Sequence, residues 1–299
     1  MTPRLRADFI ADWIAHLRTL LLGQGWPAAE VATIRDADVP AHYYDAARRQ
    51  IAEAPRVIRL ADNFSCPMDH QAGWEALQEK IRFGHDLNPH RSLKHASLHN
   101  QDGLLGEWGI HHFHLGVGPH RGNPAFVRRT GPILFGLVTG DTFYAIDVFS
   151  HDTAIFAHIN VLEVIHRNWP DLIKRYRVNA ASGEEWSPEQ RKRLRRANAN
   201  VLSKVADGTV YAPIAGGVLA SGMNAEATKA GDFWFLRLRA IQDDVQSKLE
   251  TEILPSLRLN GYVDAPEVEA RLQASDAGGL QVFFPAYDVL VRIHFDEPS

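Results

Sequence analysis

Two hydrophobic periods run through this chain, and they predict different elements in different places. Between residues 5 and 22, Phe9, Ile10, Trp13, Ile14, Leu17, Leu20 and Leu21 recur at helical spacing with arginines and aspartates opposite, which predicts a core-facing helix. A second helix is expected between Pro40 and Ala54, closed by Pro55, then a short strand over Val57–Leu60, a loop over 61–73 and a helix from Trp74 to Phe83. From Trp108 to Gly116 the period changes to two. Side chains alternate faces in a strand, so Trp108, Ile110, His112 and His114 share one face while His111, Phe113 and Leu115 share the other.

A Gly- and Pro-containing loop follows, then Ile133–Val138 and Phe143–Phe149 flank Thr139-Gly-Asp-Thr142. Glycine at the first central position of a two-residue loop predicts a type II′ hairpin, with Val138 facing Phe143, Gly136 facing Ala145 and Leu134 facing Asp147. A helix from about Ala154 to Asn168 is expected next, capped by Ser150 or Asp152. Ser187-Pro-Glu opens another helix towards Val205, and residues 208–231 show no clear period. A long helix is expected from Phe233 to Leu254, ending before Pro255, and a last hairpin joins Leu280–Phe284 to Val289–Phe295. The pattern predicts an α+β fold: a central antiparallel sheet flanked by helices. It divides into a helical N-terminal region (1–84), a histidine-rich central α+β domain (85–178) and a C-terminal α+β region (179–299).

Composition narrows the class. The 299 residues are 45% hydrophobic and 23% charged, as in soluble globular proteins. A net charge of −4 excludes a uniformly basic nucleic-acid coat and leaves room for a local basic patch. With Cys66 as the one cysteine, there is neither an intrachain disulfide nor a thiolate zinc cage. With no apolar stretch long enough for a signal or a membrane span, a cytoplasmic protein with no membrane partner is expected.

Histidine changes the picture most. Eleven of the fifteen fall between His85 and His166. His112 and His114 on one strand face can share acid and base work or bind a metal, although an isolated pair can equally line a polar face. Asp147 interrupts an apolar strand, and His151 lies four residues on; together His112, His114, Asp147 and His151 form the expected catalytic group. Arg128 and Arg129 precede the hairpin, and Lys94 lies in a basic stretch between His90 and His99. Arg191 and Arg195 belong to a run, Lys174 to Arg196, with eight lysines and arginines against three glutamates. These five cations are the expected nucleic-acid contacts.

The order of His-x-His-Leu strand, arginine-bearing loop, tight hairpin and strand ending near a histidine, over residues 108–166, resembles the small sheet of RelE/ParE-type toxins and of barnase-, EndoU- and colicin-like ribonucleases. The chain departs from them in its length, in a central helix that follows the hairpin, and in its acidic net charge. The resemblance implies metal-independent RNA cleavage in a toxin or defence setting: one histidine removes the 2′-hydroxyl proton, another protonates the leaving 5′-oxygen, and a cation holds the phosphorane. It implies RNA as partner, an inhibitory or assembly protein, and no cofactor. Two alternatives stay open. One is a hydrolase or oxygenase whose zinc, iron or manganese is held by His112, His114 and Asp147. The other is a non-catalytic binding or assembly protein with structural histidines.

Overall fold

The computed structural model describes residues 3–100, 102–151, 155–179, 184–274 and 279–292. The chain opens with β1 (Arg4–Arg6), α1 (Phe9–Gly23), α2 (Ala28–Thr33) and α3 (Val39–Arg49). Next come β2 (Val57–Leu60), α4 (Gln71–Phe83), α5 (Gly103–Trp108), β3 (Ile110–His114), β4 (Pro132–Val138) and β5 (Thr142–Ser150). Then α6 (Asn160–Asn168), α7 (Pro170–Ile173), α8 (Pro188–Arg196), β6 (Ser203–Lys204) and β7 (Val210–Tyr211). The chain continues with α9 (Ala225–Lys248), α10 (Leu254–Leu259), β8 (Glu267–Glu269), β9 (Arg271–Ala274), β10 (Leu280–Phe284) and β11 (Val289–Arg292). The fold is α+β, and its elements gather into two units, Met1–Tyr44 with Ala227–Ser299, and Asp45–Glu226.

The first unit closes the chain on itself. The Asp8 carboxylate accepts the Ala11 N–H at 2.9 Å and starts α1 at Phe9. That start leaves Arg4–Arg6 extended, not helical, and they pair in parallel with β8. Phe9, Trp13, Ile14, Leu17 and Leu21 are the buried face of α1, with the Trp13 ring edge-on to Phe235 of α9 at 5.6 Å. This pairing of distant segments explains why Met1–Tyr44 and Ala227–Ser299 gather into one unit. The long helix starts earlier than expected, at Ala225, and α9 ends at Lys248, but the helical path does not stop before Pro255: a wide π-turn over Leu249–Ile253 leads into α10. Pro255 falls in the first turn of α10, where its missing N–H leaves no helical bond unmade. The final hairpin pairs β10 with β11; residues 293–295 of the expected strand lie outside the described residues.

The second unit is built on one four-stranded sheet, ordered β2-β5-β4-β3. β3, β4 and β5 are antiparallel as expected, while β2 joins β5 in parallel, so the sheet is mixed. The alternation of β3 sorts its neighbours into two cores. Ile110, Ile133, Phe135 and Ile146 pack with Val161, Leu162 and Ile165 of α6. Phe113, Leu115, Leu134, Phe143 and Ala145 pack with Trp74, Leu77 and Ile81 of α4.

Two hairpin details differ from expectation. Gly140 does not take a left-handed φ, so the turn is not type II′; the Thr139 hydroxyl, bonded to Asp141 and Thr142, holds it instead. A bulge between Phe135 and Gly136 also shifts the register, so Phe135 faces Asp147 and Leu134 faces Val148. Around this sheet, Trp108 ends a short helix and Gly109, with φ 67°, turns the chain into β3. α6 begins at Asn160, after a single tight turn over Ile155–Ala157, and the proposed cap Asp152 lies outside the described residues. α8 stops at Arg196, and within the basic stretch between His90 and His99, Leu93–Ala96 forms one tight turn. Among the described residues no helix is long and apolar enough to cross a membrane.

Candidate active site

His112 and His114 do share a face of β3, and His151 from the end of β5 joins them. The His112 and His114 ring centroids lie 6.5 Å apart, and the exposed His151 stacks on His114 at 5.8 Å with 23° between planes. The Phe156 ring meets His112 edge-on at 5.3 Å and His151 at 5.6 Å. His112 is 8% exposed and His114 5%, so solvent reaches the group mainly through His151.

A hydrogen bond orients His114, and a nearby charge biases His112. Thr130 donates its N–H to His114 Nδ1 at 3.1 Å, which places the proton of the neutral ring on Nε2. His112 Nδ1 lies 3.7 Å from Asp102 Oδ2, too far for a hydrogen bond, but the carboxylate's charge favours the neutral tautomer with its proton on Nδ1 and Nε2 as the basic atom. Asp102 holds this position because its other oxygen, Oδ1, caps α5, accepting the Leu104 and Leu105 N–H groups at 3.1 Å each. Buried His90 donates from Nδ1 to the His114 carbonyl at 2.9 Å and anchors the end of β3 from behind.

The surroundings are cation-rich, and that sets the protonation states. Burial pushes His112 below the ordinary imidazole range; Asp102 opposes the shift, while Arg91, His151 and Arg129 add to it. Burial, followed by Arg129 and the other two imidazoles, brings His114 down to about 3. His111, on the opposite face of β3, is lowered strongly by burial and then by Arg91. At neutral pH the buried rings of β3 are therefore uncharged, fit to accept a proton at His112 Nε2 or to donate a hydrogen bond from His114 Nε2.

Asp147 does not join them. Its carboxylate accepts the Ser65 N–H at 3.0 Å and the Val148 N–H at 2.9 Å, with Asn63 Nδ2 at 3.5 Å, so it secures the loop that follows β2. Burial raises its pKa, and no histidine contributes to the shift. The metal alternative loses its third ligand with it: among the described residues no three His, Cys, Asp or Glu side chains are placed to hold a metal ion.

The expected nucleic-acid contacts divide. Arg191 and Arg195 turn inward to the buried Glu107 carboxylate, Arg191 also reaching Ser203 Oγ at 2.9 Å, and both guanidinium groups lie over the Trp108 ring at 5.2 and 4.9 Å. They form the inward side of α8 because Glu107 pairs with both, while Arg193 and Arg196 face solvent. Arg129 is half-buried and spends its N–H groups on the carbonyls of Pro89, Arg91 and Val127. Lys94 and Arg128 are exposed and carry no such structural load.

Asp102 and Phe156 are the site residues that sequence reasoning missed. Asp102 stands directly before Gly-Leu-Leu, which is an N-cap signal, but nothing in the sequence tells that its second oxygen faces His112. Compared with protein families, with curated proteins and with solved structures, the chain matches none.

Proposed function

We propose that the protein is a metal-independent endoribonuclease of the cytoplasm, working by histidine acid–base catalysis. The observation that carries this reading is the single constellation of Asp102, His112, His114 and the exposed His151. In it, His112 Nε2 takes the proton of a ribose 2′-hydroxyl. The 2′-oxygen forms a bond to phosphorus, the bond from phosphorus to the 5′-oxygen breaks, and His151 supplies the proton to that leaving oxygen. His114 Nε2–H donates to the phosphorane oxygens, and Lys94 and Arg128 contact neighbouring phosphates. An inhibitory protein partner belongs to this reading, as it does to the toxin-like arrangement of residues 108–166. The test is incubation of the purified protein with bulk RNA in the presence of chelator. Cleavage with 2′,3′-cyclic phosphate ends, lost in His112→Gln and His151→Gln, is expected; intact RNA under all conditions overturns the reading.

A second reading has its own supporting observation. Every side chain of β3 is buried, and three of the five expected phosphate contacts serve internal structure. These features suit a binding or assembly protein whose histidines are structural. In that case His112→Ala and His114→Ala both lower the melting temperature strongly and no catalytic loss can be measured.

A further inference from the structure

Arg195 links two parts of the fold that have no sequence proximity. It is paired with the buried Glu107, lies 4.9 Å over Trp108, and donates to the Phe156 carbonyl. Phe156 sits in the tight turn Ile155–Ala157, and its ring touches His112, His151 and Phe135, the last at 5.4 Å. Arg191 shares Glu107 and Trp108 but ends on Ser203, and among the described residues it bonds to no atom of the turn. The two arginines thus have the same anchor and different reach.

We infer that Arg195 is a positioning residue of the histidine site: fixed by Glu107 and Trp108, it holds the Phe156 carbonyl and so keeps the Phe156 ring against His112 and His151. The inference rests on the acid–base reading of that site, and it gives the basic helix α8 a role in geometry where the sequence suggested RNA affinity. A guanidinium can serve the carboxylate and the carbonyl together because its donors fan out in a plane; an ammonium at the end of a lysine is a compact charge without that fork. The aromatic wall excludes water from one side of His112. Its other charged and titratable neighbours are Asp102, Arg91, Arg129, His95, His111, His114 and His151, and none of them is substituted by a change at Arg195.

The test is a proton-exchange titration of the histidine rings by NMR, on the full chain labelled with ¹⁵N-histidine, in Arg195→Lys and Arg191→Lys. Arg195→Lys keeps the charge beside Glu107 and loses the fork, so water reaches His112 and its apparent pKa rises by about one unit. Arg191→Lys leaves the His112 titration where it was. If the RNA cleavage holds, Arg195→Lys also lowers kcat by roughly tenfold with little change in KM. The titration needs no substrate, so a protein that cuts no RNA sinks the functional reading and leaves this one to be judged by NMR. A folded Arg195→Lys with an unmoved His112, or an equal shift in Arg191→Lys, overturns the inference. Should Arg195→Lys fail to fold, Phe156→Leu removes the ring and keeps the clamped carbonyl; a His112 that titrates as before in that variant overturns it equally.

Discussion

Asp102 uses its two carboxylate oxygens for different tasks, and substitution can separate them. Oδ1 caps α5 while Oδ2 faces His112. Asparagine caps a helix about as well as aspartate, so Asp102→Asn keeps the cap and removes the charge that favours the Nδ1–H form of His112. On the proposed ribonuclease reading, RNA cleavage falls by about 10²–10⁴-fold with a small change in melting temperature. Asp102→Ala loses the cap as well, costing about 1 kcal/mol more. Equal activity in the Asn variant and the parent would remove Asp102 from the mechanism. Glu107 is the opposite case, a carboxylate with no reach to the site histidines. Glu107→Gln leaves Arg191 and Arg195 buried beside a neutral amide, and such a loss costs about 3–5 kcal/mol. Urea denaturation measures it; a loss below about 1 kcal/mol would show that water already screens the pair. At this scale the sequence was least legible. Arg191 and Arg195 look like surface charge because nothing local reveals that Glu107, more than eighty positions earlier, lies between them.

At the scale of elements, periodicity carried most of the information. α1, α4, β3, β4 and β5 lie close to where their hydrophobic spacing puts them, since each buries one face and the period of burial is that of the element. The departures arise where a non-local partner decides. Arg4–Arg6 becomes a strand because β8 is there to pair with it, and the Ser65 and Val148 N–H groups, not a histidine, claim the Asp147 carboxylate. Close approach between elements was also hidden. A Cβ on Gly73 of α4 would stand 1.8 Å from the Leu115 carbonyl oxygen, so the helix backbone lies directly on the chain leaving β3. Gly73→Ala must push α4 off the sheet, and a loss of about 3 kcal/mol or more is expected, at the upper end for overpacking. Thermal melting checks this, with Gly23→Ala as the control, where an added Cβ meets nothing within 4 Å.

For the whole molecule, the decisive asymmetry is where charge and histidine are placed. Asp45–Glu226 carries 21 lysines and arginines against 19 aspartates and glutamates, so the acidic excess of the chain resides in the other unit. The histidines that burial depresses also lie in Asp45–Glu226: His90 at about 4, His114 at about 3, with His95, His111 and His112 lowered as well. Their folded pKa values are below the ordinary 6.5, so on acidification the unfolded chain binds protons first. The stability from keeping these rings neutral is complete above pH 6.5 and is lost as pH falls towards 4 for His90 and 3 for His114. Each such histidine contributes a slope of about 1.4 kcal/mol per pH unit in that window. Hydrogen exchange at pH 7 and pH 5, corrected for the intrinsic rate, should therefore show protection lost in β3, β4, β5 and α4 and retained in α1, β9 and β10. Replacing His114 with glutamine should flatten the acid dependence of the first group, since one titrating ring has been taken away. Uniform loss of protection in both units, or an unchanged slope in His114→Gln, would mean that carboxylates and not the buried imidazoles govern the acid response.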